Sequence, residues 1–276
     1  MSRADKLFIQ NIRDILDHGV SDEGMKVRPH WEDGTPAHTI SLHGVVNRYD
    51  LSKEFPILTL RRIYWKSAWD EISWIWQKKS NNIHDLNSHI WDAWADENGS
   101  IGKAYGYQLG VKHHYPEGDM DQVDRVLWLL KHDPASRRIM TNLYNHHDLS
   151  EMALYPCAYS MTFNVTGNKL NAILNQRSQD MLTANGWNCC QYAMLTCALA
   201  RVSGYEPGEF VHVIANAHLY DRHIELAKEL ITNPTYDAPT LWIDPSVTDF
   251  YAFTKDSFRL ENYQYSPFDH KIPVAI

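Results

Sequence analysis

Leu154-Tyr155-Pro156-Cys157 and, one hairpin further on, Asn175-Gln176-Arg177-Ser178-Gln179-Asp180 bring a single thiol within reach of a single guanidinium. A cysteine is a weak nucleophile until its thiol ionises, and a neighbouring cation favours the thiolate. The residues between them read as the connecting hairpin. Ser160 to Val165 alternates polar and apolar, Thr166-Gly167-Asn168-Lys169 has turn chemistry, and Leu170 to Leu174 resumes an extended apolar pattern. Arg177 falls just past the return strand, where it is expected to lower the pKa of Cys157. Alone, Cys157 would more often be an inert buried thiol. Cys189, Cys190 and Cys197 keep that reading, as packing residues of one helix.

The elements that position these groups follow from periodicity. Leu7, Ile12, Ile15 and Leu16 mark a helix ended near Gly19, and Gly24 to Thr39 is polar and rich in turn residues, hence a loop. Ile40 to Tyr49 alternates as a strand. Ala68, Trp69, Ile72, Ile75 and Trp76 recur at helical spacing between Lys66 and Gln77, and Val123 to Lys131 is a further helix. Asn188 is expected to cap a buried helix, Cys189 to Ser203, that stops at Gly204. Phe210 to Ile214 reads as a central strand, and Tyr220 opens onto a helix reaching about Thr232. Strands and helices mix without regular βαβ alternation. The expected class is α+β, a large mixed twisted sheet flanked by helices, in one domain spanning 1–276.

Composition narrows the function. The 276 residues are 44% hydrophobic, enough for a substantial core, and 10 Trp and 15 Tyr suit an aromatic-lined pocket or an interface. The formal net charge of −8, with no basic run longer than Arg61-Arg62 or Arg137-Arg138, argues against DNA as a partner. A small phosphate ester needs only two or three arginines. The four cysteines have neither zinc-finger spacing nor the density of a disulfide scaffold. No signal peptide or membrane-length apolar run is evident, so a soluble cytoplasmic protein is expected. No Gly-rich dinucleotide fingerprint points to NAD, and no metal is expected.

Several motifs, in one consistent order, together resemble the thymidylate synthase family. They are Pro156-Cys157, Gln176-Arg177-Ser178-x-Asp180, Asn188, His218-Leu219-Tyr220, Ile90-Trp91-Asp92-x-Trp94, Ser136-Arg137-Arg138 and the terminal Pro273-Val274-Ala275-Ile276. The resemblance implies reductive methylation of dUMP by 5,10-methylenetetrahydrofolate, giving dTMP and dihydrofolate. Cys157 would add to uracil C6 and make C5 nucleophilic; the folate would serve as carbon donor and reductant. The resemblance makes Gln176, Arg177 and Ser178 substrate ligands, the last two at the phosphate. It has Asp180 bonding the pyrimidine through its backbone and facing the pterin. Asn188 would read uracil O4 and N3–H with adjacent acceptor and donor, rejecting cytosine, while His218 and Tyr220 would hold the 3′-hydroxyl.

The same resemblance makes Glu71 an organiser of water and proton transfer at O4, although a solvated helix face is its plainer reading. Tyr105 would order the water that removes the C5 proton. Ile90, Trp91 and Trp94 would wall the folate site, and Ala275 and Ile276 would close it, with the terminal carboxylate acting as a lid. Arg28 is the candidate phosphate arginine of the N-terminal loop. Arg137 and Arg138 would reach the phosphate of a partner subunit, in a homodimer whose sheets pack face to face.

Departures from the family pattern are Ala158 where histidine is usual and Ala184-Asn185-Gly186-Trp187 in place of Gly-x-Pro-Phe. Ala215-Asn216 replaces Gly-Asp, and Arg61 and Tyr64 stand where lysine and histidine are common near the folate tail. The alternatives are a dUMP hydroxymethylase of the same fold and a non-enzymatic, RNA-binding homologue.

Overall fold

The computed structural model describes residues 1–276. Helix α1 (Arg3–His18) starts after Ser2, whose hydroxyl accepts the Asp5 amide, and buries Phe8, Ile12 and Ile15 along one stripe. A short β1 (Val20–Ser21) leads to β2 (Thr39–Asp50), then to α2 (Trp65–Trp76). The middle of the chain holds α3 (Gly106–Gly110), a small hairpin of β3 (His113–Tyr115) and β4 (Gly118–Met120), α4 (Gln122–His132) and β5 (Met140–Asn142). The expected hairpin follows as β6 (Ala158–Thr166) and β7 (Lys169–Gln176), then β8 (Gln179–Asp180), α5 (Asn185–Ser203) and β9 (Glu206–Tyr220). Helix α6 (Ile224–Leu230) and a hairpin of β10 (Thr240–Ile243) and β11 (Phe258–Glu261) complete the order.

Seven strands form one mixed sheet in the order β1-β2-β9-β7-β6-β5, with β8 also paired to β9. The pairs are antiparallel except β7 and β8 against β9, which are parallel. Parallel strands need a crossover, and α5 supplies it. Fourteen of its residues are buried, and it ends at Gly204, whose φ of 79° suits a glycine at this turn. Asn188 is not the cap: the helix begins at Asn185 with Ala184 in that place, so Asn188 sits in the first turn. After Tyr220 a 3-10 turn (Asp221–His223) intervenes before α6, which is shorter than the periodicity suggested.

Between β7 and β8 the parallel pairing breaks. Gln176 pairs with Ile214 and Gln179 with Ala217, so Arg177 and Ser178 leave the sheet. A gap at the carboxyl ends of parallel strands is where such sheets open a crevice. One contiguous cluster of 56 buried hydrophobic residues packs the helices on one sheet face. The other face carries Val46, Ile173 and Met140, which are 50%, 40% and 44% exposed.

The segment leading into α2 is anchored by Asp5, which is fully buried and accepts from the hydroxyls of Ser2 and Thr59 and the amides of Thr59 and Leu60. Asp5→Ala leaves these donors without a partner. It should cost about 2–4 kcal/mol, read from the urea midpoint at unchanged m-value.

Candidate active site

Cys157 sits immediately before β6, half-buried. Its carbonyl accepts the Arg177 amide at 2.9 Å, which ties the two ends of the hairpin together. The Arg177 side chain folds back over the same turn. Its Nε donates to Pro156 O at 3.0 Å and its Nη2 to Tyr155 O at 2.7 Å, which leaves Nη2 3.8 Å from Cys157 Sγ. Burial pushes the Cys157 thiol up, while Arg177, the Tyr105 hydroxyl and Arg28 pull it back without cancelling the rise. The expected lowering by Arg177 is present, and the net rise comes from burial. The guanidinium does favour the thiolate, but desolvation outweighs it.

The Cys157 amide donates to Tyr105 Oη at 3.1 Å, leaving the phenolic proton free to donate elsewhere. Tyr105 holds this position with φ of 45°, in the left-handed region that a bulky residue rarely adopts. Gly106 follows because a Cβ there would lie 2.3 Å from Ser80 O.

Glu71 is buried, which corrects the solvated-face reading. Its Oε1 accepts from Trp91 Nε1 at 2.7 Å, and its Oε2 accepts from Trp187 Nε1 and Gln191 Nε2, each at 2.6 Å. Burial raises its pKa, and the three donors restrain the rise. Asn188 is similarly tethered. Its Oδ1 accepts from Gln176 at 3.2 Å and Gln179 at 3.3 Å, and its Nδ2 donates to Gln191 at 3.3 Å. Gln176 in turn bonds the fully buried His212 at 2.8 Å. Such bonds fix which way the Asn188 amide faces, and the sequence alone showed none of them.

Asp180 closes the loop before α5. Its carboxylate accepts the amides of Leu182 and Thr183 and lies 3.5 Å from His223 Nδ1. Burial opposes ionisation of Asp180, but His223 and Thr183 hold its carboxyl below the usual range. His218 bonds Asn216 at 2.8 Å, and burial lowers its pKa. His218 and Tyr220 lie two apart on β9 and face the same cavity.

That cavity, of about 760 Å³, is lined by Cys157, Glu71, Tyr105, Arg177, Asn188 and Arg28 among others. Gln176, Ser178, Asp180, His218 and Tyr220 also reach it, with Ile90, Trp91, Trp94 and Ala275 on its apolar side. Arg137 and Arg138 are exposed and do not line it, and neither does Ile276, whose backbone pairs both ways with His30. Arg61 turns inward to the carbonyls of Leu182 and Thr183 rather than outward to a ligand. Sequence reasoning missed Gln191 and Trp187. Gln191, three residues after Asn188 on α5, shares its helical face, a spacing that could have revealed it. No local pattern signals Trp187 as a partner of Glu71.

The fold and cavity define an α+β enzyme class in which one thiol, two carboxylates and two arginines share a single apolar-walled cleft. The thymidylate synthase family model matches residues 6–276, and the chain belongs to that family. Thymidylate synthases of Bacillus subtilis subsp. natto and of Bacillus phage phi3T are each 46% identical over 270 residues, covering 96% of this chain and 96% of theirs. The solved structure of a thermostable thymidylate synthase A from Bacillus subtilis superposes with a TM-score of 0.94 at 43% identity, covering 100% of both chains.

The opposed effects on Cys157 are measurable. Iodoacetamide alkylation of the unliganded protein should follow a thiol titrating above the ordinary value of about 8.5. Arg177→Gln should move that midpoint higher still. A midpoint unchanged by this substitution would count against the guanidinium contact.

Proposed function

We propose that the chain converts dUMP to dTMP with 5,10-methylenetetrahydrofolate, through a covalent adduct between Cys157 and uracil C6. The observation that carries this reading is the Cys157–Arg177 pair inside the one cavity that also holds Asn188, Glu71 and Tyr105, in a chain of this family.

In this reading dUMP enters with its phosphate toward Arg177, Ser178 and Arg28. The two guanidinium charges attract a dianion strongly in a partly dry cleft, and the Ser178 hydroxyl can donate to it. Asn188 presents an acceptor to N3–H and a donor to O4, held in that orientation by Gln176, Gln179 and Gln191. His218 and Tyr220 bind the 3′-hydroxyl. The thiolate adds at C6, electron density moves through C5 to O4, and Glu71 would supply or withdraw the proton there through an intervening water. Tyr105 orders the base that takes the C5 proton. The folate supplies the one-carbon unit and the hydride. Ile90, Trp91, Trp94 and Trp187 offer flat faces for its ring system, with Asp180 at its polar edge. Ala275 borders that side, and release of the Ile276–His30 backbone pair would let the terminal residues close over the folate and exclude water.

A second copy belongs on the bare sheet face around Ile173, Val46 and Met140, because an exposed apolar face of this kind marks an interaction surface. Arg137 and Arg138 adjoin that face just before β5 and stand outside their own cavity. They would complete the partner's phosphate site in a homodimer. The chain then acts as one catalytic domain over 1–276, in the cytoplasm.

Cys157→Ser should abolish turnover, below about 0.1% of the parent, while dUMP affinity stays within a few-fold. Fluoro-dUMP with the folate should leave a mass adduct on the Cys157 peptide, and an adduct elsewhere would sink the proposal. Asn188→Asp should raise dCMP turnover relative to dUMP by about 10-fold or more, measured by competition between the two nucleotides. Mixing Cys157→Ser with Arg138→Ala subunits should restore activity at one site per hybrid dimer. Failure to restore it would place the arginine in its own subunit's site.

A further inference from the structure

Glu71 is met by two indoles rather than one, and the second comes from a position where an aromatic hydrocarbon is the usual residue. Trp91 bonds Oε1, whereas Trp187 and Gln191 converge on Oε2. Trp187 replaces the phenylalanine of the Gly-x-Pro-Phe pattern, and a phenyl ring has no N–H to give. The residue before it, Gly186, is equally specific to this arrangement. A Cβ at Gly186 would lie 2.7 Å from Leu58 Cδ1 and 2.9 Å from Ile63 Cδ1, so the glycine lets the first turn of α5 seat closely on that wall. Trp187 therefore enters the cavity from a tightly seated turn, with its ring lining the cleft and its N–H on the carboxylate.

We propose that Trp187 is a positioning residue that tunes Glu71 through its indole N–H, in addition to forming part of the cavity wall. A donor on Oε2 stabilises the carboxylate over the carboxylic acid and fixes the plane of the group. It acts against burial, which drives Glu71 the other way. With Gln191 on the same oxygen and Trp91 on the other, the carboxylate has no rotational freedom left. It presents one fixed edge to whatever binds beside Asn188. The inference rests on Glu71 acting in proton transfer, as proposed above.

The test compares kcat against pH for the parent, Trp187→Phe, Glu71→Gln and the double variant. The ionisation lost from the profile in Glu71→Gln is the one that belongs to Glu71. In Trp187→Phe that ionisation should move upward by about one pH unit, with kcat at a fixed pH on that limb changed about 10-fold and KM for dUMP nearly constant. In the Glu71→Gln background, adding Trp187→Phe should change kcat less than about two-fold, because the two residues act as one unit. Replacing Trp187 by benzothienylalanine keeps the bicyclic ring and removes only the N–H. It should reproduce the shift, and it also serves if Trp187→Phe fails to fold. An unmoved ionisation in the benzothienyl variant, or additive losses in the double variant, would overturn the tuning role while leaving Glu71's own role intact. A profile that Glu71→Gln does not alter would overturn both.

Discussion

The turn that holds Arg177 against the backbone of residues 155–157 is the contact on which the site depends. Two side-chain bonds to the carbonyls of Tyr155 and Pro156 and one backbone bond to Cys157 lock the strand end before β6 to the strand end after β7. Because the guanidinium spends two donors on carbonyls, its direction toward the thiol is set by the protein and needs no substrate to arrange it. Its remaining donors are what a phosphate would meet. The same break in pairing that frees Arg177 also opens the crevice, so placement of the charge and formation of the cavity are one structural event.

Around that turn, polar groups that would each be costly alone form a directed chain. His212 bonds Gln176, Gln176 donates to Asn188, Asn188 to Gln191, and Gln191 to Glu71. Each amide in the series is oriented by the next, and a flip at any link would set donor against donor. In a region of low effective dielectric such a mismatch costs several kcal/mol, on the order of an unmade buried hydrogen bond or more. The Asn188 side chain is held by carboxamides alone, those of Gln176, Gln179 and Gln191. These links also couple Asn188 at one end of the cavity to Glu71 at the other.

Much of this arrangement was legible in the sequence, because local chemistry specified it. The alternation from Ser160 to Val165, the turn at Gly167 and the return strand led directly to the hairpin and to Arg177 at its end. Helix α2 followed from the helical spacing of Ala68, Trp69, Ile72, Ile75 and Trp76. The start of α5 did not, because Asn188 has the side chain of a good cap as well as that of a uracil reader, whereas the helix begins three residues earlier and tertiary bonds draw that side chain into the cavity. The net rise of the Cys157 pKa lies beyond local sequence for a related reason. Spacing can place a cation near a thiol, but desolvation depends on the walls, and those come from distant segments. The short strand β5 and the β10–β11 hairpin carry too few residues to show a period. The pairing of Trp187 with Glu71 joins residues on two helices far apart in sequence, and no local rule connects them.

Tyr105 illustrates what such a site exacts from the scaffold. A large aromatic residue at φ of 45° stores strain of about 1–3 kcal/mol, and the bond its hydroxyl oxygen accepts from the Cys157 amide fixes the far end of the same side chain. Glycine at this position would relax the main chain yet remove the phenol. Attempts to harden this protein against heat by relieving its least comfortable torsion would thus leave the Cys157 amide without its partner, and selection for thermal tolerance should find its gains elsewhere in the chain.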